Sequence, residues 1–337
     1  MNSLQHRKSE FKKFCYQIGF KPLQIKLLSE NITSNYKLHI EPKIDQSTGK
    51  VKTYLDGTEK IRTIRNPSKL LKVVQSRILK NILNSIPLSE NVHGGVKNRS
   101  NITNAKPHQG KKFKFCTDLK DFYPSIHPKR VYNTFIKLGY SNHFSHWLTV
   151  LTTTDNQLPQ GAPTSTYVSN LIFSEIDNKL LDFCKINSIT HTRYIDDLTF
   201  SSQKDFEHLI PEILKTIIEE GFKISYRKTD YGGNQTITGI EVLPNKIDAP
   251  TRILEKSRIE IELNSASKPN TNYVNNIRKT NLKKPSVMTN KTKAVKDFDT
   301  LKVFREIKTK ISEEIKGMTF EELNAYLEKN KLKIENQ

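Results

Sequence analysis

Three aspartates stand at the ends of strand-like runs, where their carboxylates could act together. Asp118 ends the run 113–118, whose residues alternate between the two faces of a strand. Asp196 and Asp197 lie at a tight turn before a second run that begins at Leu198. Neighbouring strand residues point to opposite faces, but at such a turn two adjacent carboxylates can approach one site. The three residues therefore form a candidate acidic cluster.

A cluster of three carboxylates needs a cation, because the like charges repel one another. Mg²⁺ prefers hard oxygen ligands and is usually held by one or two carboxylates together with substrate phosphates. Two such ions about 3.5–4 Å apart can activate an attacking hydroxyl and stabilise the leaving oxygen in phosphoryl transfer. The alternative is an ordinary turn residue at Asp118 and a polar hairpin tip at Asp196 and Asp197. We prefer two Mg²⁺ ions as cofactors because further motifs follow in a fixed order.

Those motifs resemble the motifs of reverse transcriptases. The sequence Tyr-Ile-Asp-Asp at residues 194–197 resembles the family's Tyr-x-Asp-Asp box. Asp118, with Tyr123 five residues later, resembles the first metal motif and the sugar-selecting aromatic residue. The segment 158–165 is similar to the template and nucleotide loop and leads into a predicted long helix with an apolar face. The segment 221–229 is similar to the next motif, which carries a lysine. The order of these motifs makes the resemblance specific.

Two further motifs resemble those of retron reverse transcriptases, within a match that extends over about residues 60–242. The sequence from Asn104 to His108 resembles an Asn-Ala-x-x-His signature. The Ile-Thr-Gly sequence that contains Thr238 and Gly239 resembles a Val-Thr-Gly signature, with Ile in place of Val, and we predict one strand over residues 237–242 that holds the primer backbone. The resemblance implies that these residues position the RNA or the primer. A lone histidine is otherwise more often structural than catalytic.

The resemblance also implies roles at the acidic cluster. Asp118 and Asp196 would bridge the two Mg²⁺ ions, and Asp197 would act less directly. The backbone carbonyl of Leu119 would be an additional ligand. Lys228 would donate a proton to the leaving pyrophosphate or would only neutralise its charge; a surface lysine without a catalytic role is the alternative.

Four residues are candidates for binding the incoming nucleotide. Tyr123 would pack under the sugar and exclude a 2′-hydroxyl, although an ordinary core tyrosine is the alternative. Gly161 would allow the backbone to approach the nucleotide or a template base closely, and Gln160 would hydrogen bond near the same sugar. Arg62, on a predicted finger hairpin over residues 40–67, would hold the triphosphate or the template, but a solvated charged edge is equally consistent with its position.

The fold implied by the resemblance is the right-hand polymerase, an α/β (α+β) architecture with fingers, palm and a mostly helical thumb. The palm sheet should be antiparallel, because its acidic hairpin joins two neighbouring strands directly. We predict an N-terminal helix and fingers over residues 1–110, a palm with interleaved finger elements over residues 111–245, and a thumb with a basic RNA-binding tail over residues 246–337.

The composition favours a polyanionic partner. The chain has 337 residues and a formal net charge of +20, and an excess of this size is typical of proteins that bind nucleic acid. Mean hydropathy is −0.60, so we expect no membrane partner, and the first residues have no apolar signal region. The three cysteines are too few and too far apart for a disulfide or zinc framework. A cytoplasmic protein is therefore expected.

The C-terminal segment changes character after about residue 250. A helix is predicted over about residues 251–263. The following stretch, 268–296, is rich in Lys and Arg and has no Asp or Glu. Such a composition predicts a loop that becomes ordered on a phosphate backbone, with Lys279, Lys283 and Lys284 as RNA contacts, and a solvated linker is the alternative.

The expected function is RNA-directed DNA synthesis from dNTPs. The retron resemblance implies a DNA copy of part of the enzyme's own structured non-coding RNA, primed from a guanosine 2′-hydroxyl to give branched RNA–DNA. It also implies a separately encoded effector protein and a role in antiphage defence. One alternative is a group II intron-like or other defence-associated reverse transcriptase. The other is an RNA-binding scaffold that restrains a toxic effector, with polymerisation secondary.

Overall fold

The computed structural model describes residues 3–44, 49–54, 56–233 and 235–282. These residues form a mixture of helices and antiparallel strands. The helices are α1 (Ser3–Ile18), α2 (Pro22–Glu30), α3 (Lys69–Asn81), α4 (Asn101–Ala105), α5 (Pro128–Lys137), α6 (Asn142–Thr152), α7 (Ser165–Ile186), α8 (Ile210–Glu219), α9 (Thr251–Glu262) and α10 (Pro269–Leu282). The strands are β1 (Tyr36–Pro42), β2 (Ile61–Pro67), β3 (Phe113–Asp118), β4 (Thr190–Tyr194), β5 (Asp197–Ser202), β6 (Asp230–Gly232), β7 (Gln235–Ile237), β8 (Ile240–Val242) and β9 (Ile247–Asp248).

The central sheet has the strand order β4-β5-β3-β6 within the described part of the chain, and all its pairings are antiparallel. The antiparallel hairpin predicted from the acidic turn is thereby confirmed. Phe115 of β3 lies opposite Phe200 of β5, and both side chains are buried with their ring centroids 5.8 Å apart. The same register places Asp118 opposite Asp197 at the end of the sheet. Cross-strand pairs of this kind fix the register of an antiparallel ladder.

Helix α7 is the long helix that the sequence predicts after the Gln160–Gly161 loop. Most of its apolar residues are buried, including Phe173 and Ile176. Phe173 packs against Phe122 and Phe222, with ring centroids 6.0 and 5.1 Å away. Aromatic contacts of this kind add to the free energy gained from the buried apolar area.

The N-terminal elements pack around α3 and carry an outer hairpin. Ser68 caps α3, because its hydroxyl accepts a hydrogen bond from the Leu71 amide at 3.4 Å. Strands β1 and β2 pair along their whole length. A hairpin is thus present within the predicted range 40–67, with β2 as its second strand, and the segment that begins at Val51 makes only isolated bridges, such as Thr53 with Glu59.

A small sheet, β7-β8-β9, forms a second hydrophobic cluster with α4, α9 and α10. The sequence predicted one strand over residues 237–242. The structure instead breaks this segment at Thr238 and Gly239, which have φ values of 46° and 78° and connect Ile237 to its partner Ile240. Two central residues with positive φ are the signature of a tight two-residue hairpin turn, so the expected single strand is wrong.

The loop predicted from residue 268 is also wrong over its first half, where α10 forms. Val274 and Ile277 of α10 are buried in the second cluster. The N-terminus of α10 lacks its own acidic residues, but Glu260 of α9 accepts hydrogen bonds from the amides of Asn270 and Thr271 at 3.1 and 2.8 Å. An anion at this position stabilises a helix N-terminus.

The described residues up to Leu282 belong to one compact unit. Residues 283–337, with Lys283 and Lys284, lie outside the described residues, so the RNA contacts predicted there stay predictions, as do the domain boundaries near residues 110 and 245. None of the helices in the described part of the chain is long and apolar enough to cross a bilayer.

The cap from Glu260 gives a test of this part of the fold. Desolvation opposes the charged form, but the hydrogen bonds from Thr271 and Asn270 outweigh it and lower the pKa of Glu260 to about 2. A carboxylate with a depressed pKa stabilises the fold above its unfolded pKa, and this contribution is lost as the pH falls. We expect Glu260→Gln to accelerate hydrogen exchange in α10 at pH 7, with the difference narrowing below pH 4.5.

The matched control is Glu262→Gln, which removes an exposed carboxylate from the same helix. It should leave the exchange of α10 unchanged. Equal exchange rates in wild type and Glu260→Gln at pH 7 would show that the cap does not hold α10.

Candidate active site

The three predicted carboxylates lie at one end of the central sheet. Asp118 is the last residue of β3, and Asp197, opposite it, is the first residue of β5. Asp196 occupies the turn between β4 and β5, where its carbonyl accepts a hydrogen bond from the Leu119 amide at 3.0 Å. The strand register and this turn therefore bring the two acidic stretches together, although they are far apart in the sequence.

Crowding and burial make these carboxylates difficult to ionise together. Burial first, and then the charge of Asp118, raise the pKa of Asp196. Burial, followed by the charges of Asp196 and Asp118, raises the pKa of Asp197 to about 7. Like charges in a partly desolvated site have this effect. A cation at this place would remove the conflict.

Lys228 supplies one positive charge to the cluster. Its Nζ lies 2.5 Å from Asp118 Oδ2, and its side chain is 60% exposed. Desolvation disfavours the ammonium form, but the hydrogen bond to Asp118 and the charges of Asp196 and Asp197 outweigh it and raise the pKa of Lys228. The lysine is therefore protonated and directed at the cluster, which is the state that either predicted role requires.

The donor set suits a metal that arrives with its substrate. Among the described residues, no group of three or more His, Cys, Asp or Glu side chains has the spacing of a preformed metal site. Mg²⁺ is commonly held by only one or two carboxylates plus substrate phosphates. Hard oxygens on Asp118, Asp196 and Asp197, crowded enough to raise two pKa values, fit such a site. Ligation by the Leu119 carbonyl stays a prediction.

The acidic turn is anchored by a buried ion pair that the motif comparison did not identify. Arg193 and Asp177 have fully buried side chains, and the Arg193 Nη2 to Asp177 Oδ2 distance is 2.6 Å. Arg193 Nη1 donates to the carbonyl of Ile195 at 2.8 Å, and its guanidinium lies 4.6 Å from the centroid of Phe173. Ile195 has a φ of 61°, which is strained for a β-branched residue.

A sequence signal for this pair does exist. Arg193 lies in a strand beside the buried Thr192, and Asp177 lies beside Ile176 on the apolar face of α7. Charged residues at such positions are rarely buried without a partner. Two opposite charges on neighbouring buried elements therefore predict an ion pair between them.

The nucleotide-binding candidates lie at three places in the fold: after β3, before α7 and on β2. The Tyr123 hydroxyl lies 2.9 Å from Thr166 Oγ1, and its pKa is raised first by burial and further by Asp196, so the phenol lies near the carboxylates. The carbonyl of Gln160 accepts a hydrogen bond from the Arg65 amide of β2 at 2.8 Å. The Gln160–Gly161 loop is thus bonded to the outer hairpin.

Gly161 fits closely against the same hairpin. Its φ is +113°, and a Cβ atom there would lie 2.8 Å from Ile64 Cγ2 and 3.1 Å from the Arg65 carbonyl oxygen. Gly161 therefore approaches β2 closely, and its contact with the nucleotide or a template base stays a prediction. Arg62 is exposed on β2, opposite Glu41, and its charge acts to lower the pKa of Asp196 against the larger effect of burial.

The two motifs predicted to position RNA contact each other. Asn104 Nδ2 donates to Thr238 Oγ1 at 3.3 Å, and Asn101 Nδ2 donates to the Thr238 carbonyl at 3.2 Å. These bonds hold the hairpin turn in which Gly239 is exposed. Residues separated by more than a hundred positions therefore form one local structure.

His108 is fully buried rather than exposed to a nucleic acid. Its Nδ1 lies 2.6 Å from Ser201 Oγ and its Nε2 lies 2.8 Å from Thr192 Oγ1. Because both ring nitrogens contact hydroxyls of the central sheet, any influence on RNA must pass through the elements that His108 holds. Lys279 lies in the last turn of α10, and its side chain is exposed.

Comparison with known proteins identifies the family. Residues 48–242 match the model described as "Reverse transcriptase (RNA-dependent DNA polymerase)", which is more than half of the chain. The chain therefore belongs to the reverse transcriptase family, whose members generally use divalent metal ions.

Within this family the chain is similar to retron reverse transcriptases. It is 36% identical over 197 residues to the Retron Ec86 reverse transcriptase of Escherichia coli, covering 57% of this chain and 62% of that protein. It is 34% identical over 205 residues to the Retron Mx65 reverse transcriptase of Myxococcus xanthus, covering 54% and 48% respectively. The chain thus spans about half of the length of the curated relatives that it matches.

The burial of His108 predicts a dependence of stability on pH. Burial first, and then the charges of His191, His93, Lys114 and Lys111, lower the pKa of His108 from 6.5 to about 3. Between these values only the unfolded chain takes up the proton, so stability is lost as the pH falls below about 6.5. One such group contributes up to about 1.4 kcal/mol per pH unit.

We expect His108→Gln to reduce this slope in urea unfolding between pH 6.5 and 4.5. The pKa of His93 is lowered to about 4 by burial and by Arg99. His93 therefore also contributes to the slope, and its contribution should remain in His108→Gln. The exposed His208 provides the control His208→Gln, which should keep the wild-type slope. An identical slope in His108→Gln would contradict the buried neutral state of His108.

Proposed function

We propose that the protein is an RNA-directed DNA polymerase. The observation that carries this proposal is the register that sets Asp118 opposite Asp197, with Asp196 in the adjoining turn and Lys228 bonded to Asp118. In this proposal the central sheet is the palm, the outer hairpin with the Gln160–Gly161 loop belongs to the fingers, and α9 and α10 begin the thumb.

The reaction that we propose joins a primer hydroxyl to the α-phosphate of a dNTP and releases pyrophosphate. Asp118, Asp196 and Asp197 would hold two Mg²⁺ ions, which supply charge stabilisation at the attacking and leaving oxygens when bound. Lys228 is protonated beside Asp118, so it can neutralise the leaving pyrophosphate or give it a proton. Tyr123 would lie against the sugar and favour deoxynucleotides, and Arg62 would meet the phosphates.

The first test removes one carboxylate. Asp196→Asn keeps the size of the side chain but removes its charge, and we expect DNA synthesis on an RNA template to fall to background while RNA affinity stays close to wild type. Asp182→Asn on the exposed face of α7 is the control and should keep full activity. Undiminished synthesis by Asp196→Asn would contradict the assignment of the acidic cluster as the catalytic centre.

We further propose that the enzyme copies part of its own structured non-coding RNA in a retron system. The relatives that it matches are retron reverse transcriptases, and the contact between Asn104 and Thr238 unites the two retron-like motifs. The synthesis would begin on a guanosine 2′-hydroxyl of that RNA. The folded RNA needs only to place this hydroxyl where a primer end would lie, because proximity supplies much of the rate.

The partners of this reaction follow from the same proposal. They are the non-coding RNA, its DNA copy, dNTPs and a separately encoded effector protein, acting in antiphage defence in the cytoplasm. The exposed turn at Thr238 and Gly239 and the basic residues Lys279, Lys283 and Lys284 are the RNA contacts that we propose. Asn104 and His108 would support this surface from within.

The structure of the product tests the priming proposal. DNA made by the purified enzyme on its RNA should keep a short RNA remnant after ribonuclease treatment, and a debranching enzyme should release the DNA 5′ end. DNA made from an annealed 3′-hydroxyl primer provides the control and should be insensitive to debranching. If all the DNA instead begins at a free 5′ end or on a protein side chain, the retron proposal fails while the polymerase proposal stands.

A further inference from the structure

A loop of residues 93–95, here called the glycine loop, lies directly against the acidic turn. The His93 amide donates to the Arg193 carbonyl at 2.8 Å, so the loop continues along the edge of β4. At Gly94 there is no room for a side chain: a Cβ atom would lie 2.5 Å from Ile195 Cγ1 and 2.6 Å from the Ile195 backbone nitrogen. The loop and the turn are therefore in backbone contact.

The next glycine, Gly95, lies against Thr166, whose hydroxyl holds the tyrosine of the proposed nucleotide site. Gly95 has a φ of +71°, and a Cβ atom there would lie 2.3 Å from Thr166 Cγ2. The hydroxyl of the same Thr166 contacts the Tyr123 hydroxyl at 2.9 Å. Any rotation of Thr166 that relieved a contact with residue 95 would also move the oxygen that holds Tyr123.

One side chain of α7 joins the loop to the buried ion pair. Asn170 Nδ2 donates to the Gly94 carbonyl at 2.8 Å, and Asn170 Oδ1 accepts from Arg193 Nη1 at 2.9 Å. Arg193 in turn donates to the Ile195 carbonyl. The Gly94 carbonyl and the acidic turn are thus fixed by the same amide and guanidinium groups.

We propose that the glycine loop is a positioning element of the catalytic centre, in which Gly94 sets the Ile195 turn and Gly95 sets Tyr123 through Thr166. The proposal rests on the polymerase function and adds a specificity determinant to it. Gly94 governs the placement of Asp196 and Asp197, and hence the rate. Gly95 governs the angle of the Tyr123 ring, and hence discrimination between dNTPs and rNTPs.

The first experiment distinguishes the contact between residue 95 and Thr166 from the general strain of a side chain at positive φ. Gly95→Ala should lower the ratio of dNTP to rNTP incorporation by at least about tenfold, because Thr166 must rotate away from Tyr123. A tenfold change in this ratio corresponds to a free-energy difference of about 1.4 kcal/mol. Thr166→Ser in the same chain removes Cγ2 and keeps the hydroxyl, so it should restore most of the ratio. Gly139→Ala, at a φ of +89° with nothing within 4 Å, is the control for positive φ.

The second experiment addresses Gly94. Gly94→Ala should lower kcat by about 10²-fold with little change in RNA affinity, as expected for a displacement of about 1 Å at a reacting centre. Ile195→Ala should not rescue it, because the backbone nitrogen remains in the way. Gly233→Ala, whose Cβ would meet only an ordinary contact of 3.4 Å, is the control.

Hydrogen exchange of residues 192–198 supplies a measurement that does not need activity. It should accelerate in Gly94→Ala and stay at the wild-type rate in Gly233→Ala. The proposal would be overturned if Gly94→Ala left both the exchange rate and kcat unchanged. It would also be overturned if Gly95→Ala lowered the ratio of dNTP to rNTP incorporation and Thr166→Ser did not restore it. A wild-type chain without polymerase activity would overturn the proposed function instead, and the exchange result would still decide whether the loop positions the turn.

Discussion

The acidic turn depends on the ion pair between Arg193 and Asp177, whose side chains are both fully buried. Desolvation opposes ionisation of Asp177, but Arg193 outweighs it and lowers the pKa of that carboxyl. Such a pair costs several kcal/mol of desolvation for each ion, and loss of one partner typically costs about 3–5 kcal/mol. Arg193 recovers part of this cost through the carbonyl of Ile195, so the strained turn and the buried charge stabilise each other.

Helix α7 connects this pair with the rest of the site through one face. Thr166, Asn170, Phe173 and Asp177 follow one another at spacings of three or four residues, which places them along a single stripe of the helix. Along that stripe lie Tyr123, the carbonyl of Gly94 and the guanidinium of Arg193. A rotation or shift of α7 would therefore move the tyrosine, the glycine loop and the acidic turn together.

The strands, the turn and the helix that surround the acidic motifs were predictable from sequence because they depend on local patterns. These patterns are the alternation in β3, the turn before Leu198 and the apolar face of a long helix. The contacts that hold α10 and the turn at Thr238 were not predictable in this way. The cap of α10 comes from Glu260, outside the stretch whose composition suggested a loop. Likewise the turn at Thr238 tolerates a β-branched residue at positive φ because Asn104 and Asn101 hold it from more than a hundred residues away.

Strand β4 shows how the buried His108 is connected to the acidic turn. Neighbouring residues of a strand point to opposite faces, and here Thr192 contacts His108 on one face while Arg193 contacts Asp177 on the other. Adjacent residues of the strand that leads into the acidic turn therefore bond to α4 on one side and to α7 on the other. Thr192 donates to the Asn104 carbonyl, and Arg193 pairs with Asp177. A change in the packing of His108 would reach Asp196 through only a few bonds of backbone, so the position of His108 and the geometry of the acidic turn are physically coupled.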